Sequence, residues 1–133
     1  MESERSFMAA ARSPSPEEMA SYREGARRRH DAAARALAAR EERAWQLARQ
    51  AAAELRRRFG VNRVAVFGSL IHPGSFTLWS DVDIAAWGLH PDDTFRAIGV
   101  AMDTDAEIAV NLVDVGACRA SLREVIEAEG IDV

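Results

Sequence analysis

The stretch that decides the fold runs from Arg63 to Trp87 and reads RVAVFGSLIHPGSFTLWSDVDIAAW. Its two ends, residues 63–68 and 81–87, have the apolar and β-branched composition of buried strands. The first run closes on Gly68–Ser69, and eleven residues, Leu70 to Ser80, separate that pair from Asp81-Val82-Asp83. Residues i and i+2 of a strand face the same side, so Asp81 and Asp83 are predicted to share a face. Two carboxylates placed so repel each other, and burying them unpaired is costly. A divalent cation relieves both problems, and carboxylate oxygens suit Mg²⁺, which also takes waters and substrate phosphates. Glycine at 68 would let a phosphate approach the backbone closely, and the Ser69 hydroxyl would add a hydrogen bond. Each half alone has a plainer reading. The Gly-Ser pair could be a turn, and the aspartates a strand-end cap and the partner of an arginine.

Downstream, 91–102 reads as a helix, 107–115 as a third strand and 117–130 as a helix with Gly130 as its stop. The segment 131–133 would add a short edge strand. Upstream, Ser15 can cap a helix that has Pro16 at its first position and Glu18 completing a capping box. From Pro16 to Phe59 there is one glycine, Gly25, and no further proline. Met19, Tyr22, Ala26, Ala33, Leu37, Ala44, Ala48, Ala51, Leu55 and Phe59 recur mostly at helical spacing. One helix of that length would span roughly 65 Å, more than the diameter of the remaining domain. It is therefore expected to break, at Gly25 or within 27–31, or to project in part. Its N-terminal half is poorly stable alone and is expected to contact a second copy or a partner protein. The expected fold class is α/β (α+β), with a small mixed β-sheet of three or four strands flanked by helices and preceded by a long N-terminal helix. The expected organisation is a disordered leader over 1–14, a long amphipathic helix or broken helix pair over 15–59, and a domain over 60–133.

The 133 residues suit one domain, and no apolar run approaches a membrane span. The N-terminus lacks the basic start and apolar block of a secretory signal. The single cysteine, Cys118, precludes an internal disulfide and suits a reducing cytoplasm. It reads as a small packed or partly exposed residue. All seventeen basic residues are arginine, and charge is uneven along the chain. Residues 16–59 hold eleven Arg against seven acids, whereas residues 60–133 hold four Arg against twelve acids. The acidic part would need metal ions to admit phosphates, and it argues against broad nucleic-acid binding. The arginines of 16–59 read either as a solvated helix face or as a phosphate- or RNA-binding stripe.

A strand, Gly-Ser, a short spacer and Ser-Asp-x-Asp-Ile opening a second strand together resemble the DNA polymerase β-like nucleotidyltransferase superfamily. The similarity covers about residues 60–133 and rests on VAVFGS (64–69), WSDVDIAAWG (79–88) and VNLVDV (110–115). It is strongest to the minimal nucleotidyltransferases that act as antitoxin partners of HEPN proteins. The resemblance implies the polymerase β-like fold and nucleotide contacts at Gly68, Ser69 and Ser80. It also implies Mg²⁺, with Mn²⁺ as a substitute, on Asp81 and Asp83. It further implies transfer of a nucleoside monophosphate, commonly AMP from ATP, to a hydroxyl such as one on a HEPN toxin.

Two departures shape the expectation. No Arg or Lys lies between Ser69 and Asp83, where the family carries a basic residue, and His72 reads as a loop residue. On the next strand, where the family places a third catalytic carboxylate, this chain has Asn111. Asparagine offers a metal one neutral oxygen and cannot act as a general base. Glu107 lies four residues away on the strand, roughly 13 Å, and Asp114 has the opposite parity, so neither is expected to replace it. Weakened turnover with retained nucleotide binding is the expectation. The alternative is a catalytically decayed nucleotide-binding or docking module acting through its long helix.

Overall fold

The computed structural model describes residues 12–133. Of the leader expected over 1–14, residues 1–11 lie outside the described residues. Helix α1, Pro16–Phe59, is a single helix that neither Gly25 nor the 27–31 stretch interrupts. The capping box forms as read, with the Glu18 amide donating to Ser15 Oγ at 3.1 Å and the Ser15 amide to Glu18 Oε2 at 3.4 Å. The chain divides after Arg35 into two compact units. In the first, Glu24 and Arg28 pair one turn apart at 3.1 Å and Tyr22 is exposed.

In the second unit, strand β1 (Arg63–Phe67) is followed by one 3-10 turn, Gly68–Ile71, and then by β2 (Val82–Trp87). A short 3-10 segment, Pro91–Asp93, leads into helix α2 (Thr94–Met102). Strand β3 (Val110–Asp114), helix α3 (Ala120–Glu129) and strand β4 (Ile131–Asp132) complete the unit. The sheet order is β3-β2-β1-β4. Strand β1 is antiparallel to β2 and β4, while β2 and β3 run parallel. The fold is thus mixed α/β, with an open four-stranded sheet flanked by helices. A parallel pair needs a crossover, and α2 supplies it, burying Ala97 and Ala101.

Alternation along the strands sends the two faces to different neighbours. Val64, Val66, Val82, Ile84, Val110 and Leu112 join the main core with the stripe of α1 formed by Ala44, Leu47, Ala48, Ala51, Ala52 and Leu55. Four of those six helix residues are alanine, which leaves little side-chain bulk between the helix and the sheet. The opposite face is thinner, with Ala85, Val115 and Ile126 buried together and Phe67, Val113 and Leu122 packed around them. Among the described residues no helix is long and apolar enough to cross a membrane.

Beyond the unbroken long helix and the 3-10 start of the 91–102 segment, two boundaries shift by three residues from the sequence expectation. The third strand begins at Val110 rather than 107 because the Asp105 carboxylate captures the amides of Glu107 and Ile108, at 3.1 and 2.9 Å. Those donors are then spent on a local turn instead of a ladder. Helix α3 begins at Ala120 rather than 117, since Arg119 has extended backbone (φ −67°, ψ 153°). Its end at Gly130 is as read, but for a different reason. Gly130 has a negative φ, so handedness is not what requires glycine there. A Cβ at 130 would fall 2.6 Å from the Ile126 carbonyl oxygen and 3.2 Å from the Ala65 Cβ, so close packing over β1 excludes a side chain.

Candidate active site

The site sits where β1 ends and β2 begins. Register pairs Asp83 with Phe67 on one side and with Asn111 on the other. Gly68 therefore follows directly on a neighbour of Asp83, and the two are in close contact. A Cβ built on Gly68 would lie 2.6 Å from Asp83 Oδ2, and φ at Gly68 is +79°. Glycine is required there both by handedness and by the carboxylate beside it.

Asp81, Asp83 and Asn111 come together on the thinner face. Asn111 Nδ2 donates to Asp81 Oδ2 at 3.3 Å and to Asp83 Oδ1 at 3.4 Å. Both bonds are long, near the limit of useful geometry. Asp83 is half-buried, and that burial is the main cause that pushes its carboxyl above the ordinary value. The Asn111 hydrogen bond pulls it down, and the charge of Asp81 adds to the rise. One amide thus stands between two carboxylates as a weak substitute for a positive charge.

This donor set fits a divalent cation. Two carboxylates supply the hard oxygens that Mg²⁺ prefers. Asn111 can turn its amide by half a rotation and offer Oδ1 in place of Nδ2. Among the described residues no third His, Cys, Asp or Glu joins the pair. Asp114 is engaged on the other face, where it accepts from Thr94 Oγ1 at 2.9 Å and from the Gly116 amide at 3.0 Å. Glu107 lies outside the strand altogether.

No protein-family model matches the chain, and no curated protein matches it.

Ser69 lies in the 3-10 turn beside Gly68, and its carbonyl accepts from the His72 amide at 3.2 Å. Ser80 plays a local part. Its Oγ accepts from the Thr77 amide at 2.9 Å and meets Thr77 Oγ1 at 3.1 Å, so the hydroxyl closes a turn. His72 is exposed and hydrogen-bonds Glu129 at 3.1 Å, tying its loop to α3. Cys118 is partly buried, with Sγ directed to the Val115 carbonyl.

One residue went unseen in the sequence. Arg40, on α1, donates from Nη2 to the Ser80 carbonyl at 3.0 Å, immediately before Asp81. Its Nε is buried without a hydrogen-bond partner. The spacer between Ser69 and Asp83 lacks a basic residue, yet a guanidinium stands at its end, delivered from forty positions away. Nothing in the local pattern around Arg40 distinguishes it from its arginine neighbours, so only the packing of α1 reveals it.

Proposed function

We propose that the chain binds a nucleoside triphosphate with Mg²⁺ and transfers a nucleoside monophosphate to a hydroxyl, the acceptor oxygen bonding to the α-phosphorus as the bond to the β-phosphate breaks and pyrophosphate leaves. The observation that carries this reading is the contact of side-chain-free Gly68 with Asp83, inside a cluster of two carboxylates and one amide. Asp81 and Asp83 would hold the cation, which when bound neutralises phosphate charge and draws off electron density from the attacked phosphorus. Gly68 leaves the backbone open to a phosphate, and Ser69 offers its hydroxyl. Phosphoryl transfer asks a protein chiefly for positioning and charge neutralisation, which these groups can supply. The base is read as adenine and the acceptor as a hydroxyl of a HEPN-type partner protein, both on the sequence resemblance. With that goes an antitoxin role in the cytoplasm.

The Asn111 amide favours a second reading. It donates long hydrogen bonds to both carboxylates without any cation and cannot take a proton from an acceptor. A site so arranged can bind a nucleotide and turn it over slowly or not at all, leaving the protein to act by docking. Labelled ATP separates these outcomes. Mg²⁺-dependent binding with label passed to a partner supports transfer, and Mg²⁺-dependent binding without transfer supports the docking module. ATP binding that survives full chelation of divalent cations, or no ATP binding at all, overturns the proposed site.

A further inference from the structure

We infer that the Thr77–Ser80 turn is the platform for the base of the bound nucleotide, with the Trp79 ring as the contact. The inference rests on the nucleotide reading above and adds the element that recognises the base. Trp79 is 89% exposed and the adjacent Leu78 43% exposed. An indole normally buries a large apolar area, so a bare one forgoes stabilisation unless something covers it in use. A loose loop tip would need no such explanation, but this turn is not loose. Ser80 N donates to the Thr77 carbonyl at 3.2 Å, Thr77 N to Ser80 Oγ at 2.9 Å and Trp79 N to Thr77 Oγ1 at 3.2 Å. Both ends are anchored. Phe76, just before the turn, is buried in the main core, and the Ser80 carbonyl is held by Arg40.

The backbone beneath Trp79 is therefore held in place while its ring is left in water. The other two tryptophans differ. Trp45 packs against the main core, and the Trp87 ring is covered by the Arg63 guanidinium at 4.0 Å. Trp79 is two residues from Asp81, at most about 7 Å along the backbone. Phosphates held at Asp81, Asp83 and Gly68 would leave the base of the same nucleotide within reach of the ring. Stacking suits this arrangement because every base presents a π-face and needs no further hydrogen-bonding groups.

The test compares ATP with inorganic tripolyphosphate, which carries the charge and no base. Binding of each to the full chain is measured by calorimetry with Mg²⁺ present, for wild type, Trp79→Ala and Trp79→Phe. Trp79→Ala is expected to weaken ATP roughly tenfold and to leave tripolyphosphate unchanged, with Trp79→Phe close to wild type. Tryptophan emission of the wild type should respond to ATP and not to tripolyphosphate. Equal ATP affinity in wild type and Trp79→Ala overturns the platform while the nucleotide site stands, and assigns the bare ring to a protein contact. Equal weakening of both ligands also overturns it, by making Trp79 a support of the phosphate site. Failure of both ligands to bind wild type removes the nucleotide reading itself, and the platform with it.

Discussion

Asn111→Asp is expected to raise Mg²⁺-dependent transfer of label from ATP by on the order of a hundredfold, the scale of a restored general base. Asn111 lies opposite Asp83 in register and already touches both aspartates. A carboxylate of nearly the same shape would occupy the same place and could both ligate a cation and accept a proton. Without the cation the same change is harmful, since it replaces a donor with a third negative charge. The pH dependence follows in sign. Asp83 titrates above its ordinary value in the folded protein. Its contribution to stability is thus complete below the unfolded value and is lost as pH rises through the raised one. Asn111→Asp removes the hydrogen bond that holds the value down and adds a like charge, so the loss extends to higher pH. Unfolding midpoints in chelator between about pH 4 and 8 should fall more steeply for the variant, and Mg²⁺ should restore them. An absence of transfer in both proteins sinks the catalytic half of the proposal, while leaving binding to be judged separately.

Gly68→Ala is expected to cost on the order of a hundredfold in Mg²⁺-ATP affinity, the upper range for disturbed support of a metal ligand. Two separate effects act. The positive φ of +79° costs an alanine roughly 1–2 kcal/mol. The new Cβ would also stand 2.6 Å from Asp83 Oδ2, so the carboxylate must swing away from Asn111 and Asp81. The second effect is cheap in stability and ruinous to the site. A double-mutant cycle with Asp83→Ala separates them. In that background Gly68→Ala should still lower stability through its backbone, and should lower ATP affinity much less than in the single variant, by what the Cβ takes from the phosphate's approach to the backbone. Undiminished affinity in the single variant contradicts the geometry of the site.

Much of this site was legible because strand parity is a strict rule. Asp81 and Asp83 had to share a face once 81–87 was read as a strand, and Gly68 had to follow the neighbouring strand's end. The pairing of Asn111 with Asp83 depends on a parallel crossover, which no local pattern encodes. It came instead from the resemblance of residues 110–115 to a known strand. Arg40 was not legible, because the contact belongs to tertiary packing. Residues 107–109 stay out of the strand because the Asp105 side chain competes for the amides of Glu107 and Ile108, a local capture that the strand pattern does not announce. The resemblance implies a nucleotide contact at Ser80, and what no local pattern shows is that its hydroxyl also accepts from the Thr77 amide in the turn that presents Trp79.

Among the described residues, strand β3 is a margin of the sheet, hydrogen-bonded to β2 on one side and to no strand on the other. Such margins open more readily than interior strands. Among the described residues, the side-chain hydrogen bonds that tie β3 across this edge at the site run from Asn111 to the two aspartates, which lie 28 and 30 positions away in the chain. A ligand gripped by this trio would clasp two strands that the chain itself connects only through α2. Amide exchange at Leu112 and Val113 would then slow on occupancy and quicken on release. The edge strand becomes a gauge of whether the site is filled, readable by deuterium uptake without knowledge of the acceptor or of any turnover.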